Sequence, residues 1–443
     1  MVKEKTFYIE NLGCFRNQVD AEYIIASMEQ AGYTHLNEPE GASAIVVNSC
    51  GFIESAKEES INTFFQFREA YPESKIILAG CLAQRYGNEL SDMLPEADGF
   101  FGNRAPELLP QIMKDVEEGK KPSFFPQELT TAPKRIKFLN YKKSAFVKIA
   151  EGCIHHCTFC AIPKIRGGLV SRNFDDVVRE VNELLDEGIF EVNLIAQDLA
   201  SFGLDRGSEK EIIPLLRAIL KRPGNYWIRP FYIHPDTFPE GLIELCQEDS
   251  RLLPYFDLPF QHANQKVLKM MARYGNSQVY LDLIQKIRTA LPQAVVRSTF
   301  LVGFPGENTL EFQELLDFQE KAQIDWMGVF AYSREDGTSS FRLQTDEAYE
   351  RSQKDAHKRK VVLERRQNEI TAKRLDLWLG RTVQILIEEP IEGSDMYLGR
   401  AFFQAPEVDG LTVVHARAGL VAGELVTGEI FKRNGVDLEA REV

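Results

Sequence analysis

The sequence lacks several things that would each point to a function class. It has no run of eighteen or more apolar residues, so no membrane-spanning helix is expected. The opening residues, MVKEKTFYIENLG, contain no apolar core of the secretory kind, and a cytoplasmic location is the expectation. Positive charge is not in excess: 52 Lys and Arg stand against 66 Asp and Glu, a net charge of −14. A general nucleic-acid binder draws its affinity from basic charge, so that class is disfavoured and a basic partner is favoured. Cysteines are few, seven in all. Without an export signal, metal or redox use of those thiols is expected ahead of a disulfide framework. The remaining composition is that of a soluble globular protein, 44% hydrophobic and 27% charged in 443 residues. That length suggests roughly two to four domains.

The cysteines that are present are patterned. Cys153, Cys157 and Cys160 stand in a CxxxCxxC spacing within AEGCIHHCTFCAIP, just after the strand-like run FVKIA. Three thiolates on one short loop can each ligate one iron of a 4Fe-4S cube and leave the remaining iron open. An open coordination position marks a reactive metal site. S-adenosylmethionine (SAM) can fill it through its amino and carboxylate groups. The competing reading is a structural zinc site that recruits His155 or His156 as its further ligand.

The N-terminal third alternates strand and helix. Strands are predicted over 5–11, 44–47 and 75–78, with helices over 17–31 and 54–70 and another after Cys81. The alternation predicts a parallel α/β sheet, in which ligands gather beyond the strand carboxyl ends. Each of these strands runs into a cysteine: Leu12-Gly13-Cys14, Asn48-Ser49-Cys50 and Ala79-Gly80-Cys81. All three cysteines should therefore reach one sheet edge, either as a second three-cysteine metal site or as buried free thiols. This domain is taken as 1–103. The Lys- and Pro-containing stretch 104–143 reads as a connector.

From 144 to 342 the alternation resumes. Strands are predicted at 145–150, 191–196, 226–233, 255–260, 295–302 and 327–332, and helices at 174–187, 211–221, 238–247, 277–290 and 308–321. Six such units fall short of a full eight-unit barrel, so an open partial (βα)6 barrel is expected, with chemistry at the strand carboxyl ends. Gln197 and Asp198 lie at one such end, either holding a ligand's amino group or capping a turn. The segment LVGFPGE carries Gly303, Gly306 and Glu307, either a close backbone approach to a ligand or an ordinary turn. Phe330 and Tyr332 either pack near a ligand's ring or in the core. Arg166 and Arg172 either bind a carboxylate or substrate or form a solvated face. Cys246, in a helical stretch, reads as a buried structural thiol.

Residues 343–378 are dense in mixed charge and sparse in apolar residues, the pattern of a long solvated linking helix. The tail, 379–443, reads as about five short strands of a small all-β barrel. Over 381–443 it holds six basic residues (Arg381, Arg400, Arg417, Lys432, Arg433, Arg441) and eleven acidic ones, a balance of 6 − 11 = −5. No strong tRNA binding is expected from such a surface.

Together these segments resemble the methylthiotransferases of the radical-SAM superfamily over essentially the whole chain. The resemblance rests on NLGCFRNQVDAE, NSCGFI and LAGCLAQRY in the N-terminal part, EGCIHHCTFCAIPKIRGG at the cysteine loop, and a C-terminal barrel of the TRAM type. Within the family, LGCFRNQVDAE, CAIPKIRG, IAQDLASFG and GVFAYSREDGT are most similar to the branch that methylthiolates the β-carbon of an aspartate in small-subunit ribosomal protein twelve. Sister enzymes acting on tRNA adenosine are similar too. The chain departs from the branch at Phe15-Arg16, where Pro-Lys is common, and at LASFG, 199–203. The resemblance implies two 4Fe-4S clusters and SAM. Cys153, Cys157 and Cys160 would hold the SAM-cleaving cluster, and Cys14, Cys50 and Cys81 an auxiliary cluster carrying the sulfur to be donated. It further implies that Phe159 and Phe330 pack near the adenine, and that Gly303, Gly306 and Glu307 contact SAM. An external electron donor and a sulfur source complete the expectation.

Overall fold

The computed structural model describes residues 5–128, 133–139, 142–207, 209–416 and 419–443. It divides into two compact units. One comprises 1–140, 151–153 and 160–168; the other comprises 141–150, 154–159 and 169–443.

The first unit is a parallel sheet of six strands in the order Thr34–His35, Thr6–Asn11, Ala44–Ser49, Lys75–Gly80, Gly99–Phe101 and Ser123–Phe124. The central strand AIVVNS is buried along its whole length, as expected of a parallel strand covered on both faces. Ile24, Ile25 and Met28 of helix Phe15–Gln30 cover one face; Phe64, Leu82 and Leu90 help cover the other. The stretch read as a connector is in part core. Within it, helix Leu109–Glu117 buries Leu109, Ile112, Met113 and Val116 against the first face. Its apolar residues recur at helical spacing beside the Lys and Pro that suggested a loop. Residues 129–132, 140 and 141 of that stretch lie outside the described residues.

In-register pairing sets the functional edge. Asn11 is level with Asn48, and Ser49 with Gly80. At Gly80 (φ +93°) a Cβ would come within 2.6 Å of Asn48 Oδ1 and 2.7 Å of the Ser49 carbonyl. Only glycine lets the chain turn there from strand to the helix beginning at Cys81.

The second unit contains the six expected parallel strands as two three-stranded ladders. One is Trp227–Pro230, Glu191–Ile195 and Ser144–Lys148; the other is Tyr255–Asp257, Val295–Val302 and Trp326–Ala331. Isolated backbone bonds, Leu253 N to Ile228 O at 2.9 Å and Ile233 N to Asp257 O at 2.9 Å, span the gap between them. The third strand stops short of its expected end because Pro230 has no N–H to give and Tyr232 sits at φ +61°. This is an open, partial barrel. A short helix, Gln265–Met270, was not anticipated; Asn264 caps it, accepting from Val267 N.

Helix Asp346–Asp376 is more than a solvated link. Ala356, Leu363, Gln367, Ile370, Thr371 and Leu375 form a buried stripe. Gln367 donates to the Ile324 carbonyl at 2.8 Å and Thr371 to that of Asp325 at 2.7 Å, just before strand Trp326–Ala331. Two of those buried positions are polar, which hid the stripe from a hydropathy pattern.

The tail is a closed barrel of five strands in the order Thr382–Pro390, Met396–Ala401, Thr412–His415, Asp437–Glu442 and Leu425–Asn434. Folding buries one basic and one acidic residue of its count, leaving the balance at 5 − 10 = −5. Arg400 is fully buried and reaches Glu191 at 2.6 Å, and Asp409 accepts from the buried Tyr255 hydroxyl at 2.7 Å. Arg417 lies outside the described residues.

Glu191 bridges two buried guanidiniums, Arg229 at 2.7 Å and Arg400 at 2.6 Å. Burial alone would raise its pKa, but Arg400 and then Arg229 hold it down to about 2, against an ordinary 4.5. Its stabilising contribution is complete above the ordinary value and is lost as the pH falls toward 2. Glu191→Ala leaves both cations without this partner and should cost about 3–5 kcal/mol at neutral pH. Denaturant unfolding should show that loss at pH 7, with the gap to the parent narrowing at pH 3. An equal gap at both pH values would contradict the linkage.

Candidate functional site

Three strand ends build the first group. Cys14 is the N-cap of helix Phe15–Gln30, Cys50 follows strand Ala44–Ser49, and Cys81 opens helix Cys81–Met93. The sheet register brings them to one edge, as the strand-end pattern anticipated. Around Cys81 Sγ stand Asn17 Oδ1 at 3.2 Å, Arg166 Nη2 at 3.3 Å and Asn103 Nδ2 at 3.4 Å.

The thiols feel one another. Burial first, then the neighbouring Cys81, pushes Cys50 up to about 12. Burial also raises Cys81; Arg166 opposes this, while Cys14 and Asp20 add to it. At Cys14 desolvation pushes upward, but the residue keeps an exposed edge. There the charges of Arg16 and Arg166, with the N–H groups of Asn17 and Arg16, hold the thiol below its ordinary value. Burial thus disfavours the thiolate form at Cys50 and Cys81, and a bound cation would oppose that. Among the described residues no three His, Cys, Asp or Glu side chains close on a single-ion site. Three thiols at one edge match the donor set of a 4Fe-4S cube, which leaves one iron open.

The CxxxCxxC loop is fixed piece by piece. Cys153 N donates to Gly167 O at 3.2 Å. Thr158 N and Oγ1 donate to the Met271 and Met270 carbonyls, and Thr158 O accepts from Ser340 N at 2.8 Å. Cys157 Sγ lies 3.9 Å from the buried guanidinium of Arg273. His155 stacks on His234 with ring centroids 4.1 Å apart, and its Nε2 lies 2.7 Å from Asp198 Oδ2.

Asp198 is accordingly a cap and a loop holder. Oδ1 accepts from Ala200 N and His234 N, and Oδ2 from Ser201 Oγ as well as facing His155. The capping bonds of the turn alternative are present at both oxygens. Gln197 differs: its buried amide nitrogen has no hydrogen-bond partner among the described residues, which suits a ligand at the end of strand Glu191–Ile195. Gly303 (φ +77°) is needed for packing, since a Cβ there would meet Ala356 Cβ at 2.3 Å. Gly306 would meet Met270 Sδ at 2.8 Å. Glu307 accepts from Gly303 N and pairs with Arg359 at 3.1 Å, so it shapes this turn from within. Phe159 is half-buried, Phe330 is half-exposed, and Tyr332 is buried with its hydroxyl on Ser340.

Of the two arginines in the IRGGLVSR segment, Arg166 is no solvated face, while Arg172 is partly exposed. Arg166 is buried between Asp20 and Glu151, and Arg172 pairs with Glu180. Cys246 is buried in helix Leu242–Glu248, as read. Sequence reasoning missed Arg273 and His234, which follow no motif and come to the cysteine loop only through the barrel fold.

Asp198→Ala removes hydrogen bonds to a charged group worth about 1.5–3 kcal/mol each. If one such bond's worth of positioning is lost, SAM cleavage should fall roughly ten- to a hundredfold, with iron lost from the loop site. A raised KM for SAM with full iron retention would instead make Asp198 a direct SAM contact.

Comparison with known proteins fits these parts. Family models match residues 6–102 (uncharacterized protein family UPF0004), 147–318 (radical SAM superfamily) and 379–443 (TRAM domain). A solved radical SAM methyltransferase, TsrM of Kitasatospora setae, shares the fold at a TM-score of 0.53 and 12% identity, covering 74% of this chain and 73% of that one. The architecture and the family models define a radical-SAM enzyme with an N-terminal UPF0004 domain and a TRAM barrel. Among curated relatives, the ribosomal protein uS12 methylthiotransferase RimO of Treponema denticola is 42% identical over 464 residues, covering 97% of this chain and 98% of the relative. That of Carboxydothermus hydrogenoformans is 35% identical, with 98% of each covered. The chain belongs to the RimO family of radical-SAM methylthiotransferases, whose cofactors are SAM and 4Fe-4S clusters. Among the described residues no helix is long and apolar enough to cross a membrane.

Proposed function

We propose that this protein adds a methylthio group to the β-carbon of an aspartate in ribosomal protein uS12. The observation that carries the reading is the set of three cysteines brought by register to one sheet edge, in a chain that also has the CxxxCxxC loop. Cys153, Cys157 and Cys160 hold one cluster together with SAM; Cys14, Cys50 and Cys81 hold the other. When bound, the first supplies the electron that cleaves SAM and the second supplies the sulfur to be donated. The chain's own part is to orient these groups: Asp198 through His155, Arg273 beside Cys157, and Gln197 offering its free amide to SAM. Phe159 and Phe330 flank the adenine, and the Gly303–Gly306 turn, held by Glu307, borders the SAM pocket. An external reductant and a sulfur source serve the reaction, in the cytoplasm where ribosomes are.

The substrate choice is supported by the names of the relatives and by the barrel's charge. Of its basic residues, Arg400 is buried, Lys432 pairs with Glu439 at 2.6 Å and Arg433 with Asp376 at 2.6 Å. An acidic surface steers a Lys/Arg-rich ribosomal protein toward encounter and repels phosphates, although single surface pairs add little affinity. Binding of isolated uS12 should weaken as salt is added, and replacing exposed carboxylates such as Glu424 and Glu429 with Lys should weaken it further. Bulk tRNA should not compete. Tighter binding of tRNA than of uS12 at physiological salt would move the reading to the tRNA-modifying sister enzymes.

A further inference from the structure

The chain that leaves the CxxxCxxC loop through Cys160 packs within the N-terminal unit. Ala161 and Ile165 are buried against Cys81. The short helix Ile162–Ile165 ends at Arg166, which is only 4% exposed. Both of its terminal nitrogens are engaged. Nη2 donates to Asp20 Oδ2 at 2.8 Å, Asn17 Oδ1 at 2.9 Å and Cys81 Sγ at 3.3 Å. Nη1 donates to Glu151 Oε2 at 3.1 Å. Asn17 in turn donates to the Leu12 and Ser49 carbonyls, at the ends of the strands that lead to Cys14 and Cys50. A single buried cation is thus clamped by two carboxylates and aimed at the sulfur of one cluster ligand.

A buried permanent charge beside a ligating sulfur acts on the cluster's electronics. Adding an electron makes a cluster more negative, so a nearby guanidinium that hydrogen-bonds a ligand sulfur stabilises the reduced form and raises the reduction potential. A buried carboxylate acts in the opposite sense. Low local dielectric makes both effects larger than they would be at the surface.

We propose that Arg166 is a positioning residue that sets the reduction potential of the cluster held by Cys14, Cys50 and Cys81, with Glu151 as its counterweight. The inference rests on the two-cluster reading above. The segment that leaves the SAM-serving loop then carries the charge that tunes the other metal site. Lysine cannot replace this arginine fully, because an ammonium lacks the fork that reaches Asp20, Glu151 and Cys81 together.

The test uses the full chain carrying Cys153→Ala, Cys157→Ala and Cys160→Ala, reconstituted anaerobically so that only the auxiliary cluster remains. Its midpoint potential is read by an EPR-monitored redox titration. Arg166→Gln should move the midpoint to more negative potential and Arg166→Lys should restore part of the shift. Glu151→Gln, which keeps the side-chain shape, should move it to more positive potential. Iron content should stay at about four per chain throughout. Midpoints unchanged from the parent, or moving in the same direction in Arg166→Gln and Glu151→Gln, overturn the proposal. Loss of the cluster in both variants also overturns it, since Arg166 would then be a structural clamp only. A parent that holds no iron at Cys14, Cys50 and Cys81 brings down the two-cluster reading itself.

Discussion

Replacing Cys14, Cys50 or Cys81 with Ala should abolish methylthio transfer to uS12 while leaving reductive cleavage of SAM to 5′-deoxyadenosine close to the parent rate. The expectation follows from where the ligands sit. These three cysteines terminate strands of the N-terminal sheet, whereas Cys153, Cys157 and Cys160 lie on one loop that follows strand Ser144–Lys148. Each set has its own supports. Cys81 is served by Asn17, Asn103 and Arg166; Cys157 lies beside Arg273, and its neighbour Thr158 is fixed by Met270, Met271 and Ser340. The segment after Cys160 does reach Cys81, through Ala161 and Arg166, so Cys14→Ala and Cys50→Ala are the cleaner of the three variants. Cys81→Ala removes a buried thiol and should also lower stability modestly, so the folded state is checked by thermal unfolding. Product formation persisting in all three single variants would take the auxiliary site out of the reaction.

The converse substitution has an equally large effect on a different readout. Reconstituted protein should bind about eight irons per chain, and the Cys153→Ala/Cys157→Ala/Cys160→Ala variant about four, because each set of three thiolates holds one cube. That variant should form no 5′-deoxyadenosine above background, and with it no methylthiolated product. Loss of all iron from a protein that still unfolds cooperatively would mean that the two sites are not independent.

The donors were legible in the sequence because each follows a rule of local structure. A cysteine directly after an apolar strand in an alternating α/β pattern must lie at the carboxyl edge, and three such strands in one sheet bring three thiols together. The closed five-stranded tail was legible from its turns. What the sequence could not show were roles decided by long-range packing. Asp198 reads as a ligand or a cap, and its partners His155 and His234 come to it only through the fold. Gly303 suggested a ligand's approach, but the close neighbour is Ala356, from a helix far along the chain. Arg166 could have faced solvent or substrate, and its burial beside Cys81 depends on residues 146 and 149 positions away, Asp20 and Asn17. The apolar stripe of helix Leu109–Glu117 was readable, and was obscured by the Lys and Pro that flank it.

The central claim, methylthiolation of a ribosomal aspartate, is tested most directly by mass spectrometry of the two candidate substrates after one reaction. Small ribosomal subunits and bulk tRNA, both from a strain lacking this gene, are incubated together with reconstituted enzyme, SAM, a low-potential reductant and sulfide. The account predicts a methylthio mass increment on one aspartate of uS12 and no methylthioadenosine in the tRNA. Methylthioadenosine in the tRNA with an unmodified uS12 aspartate would contradict it.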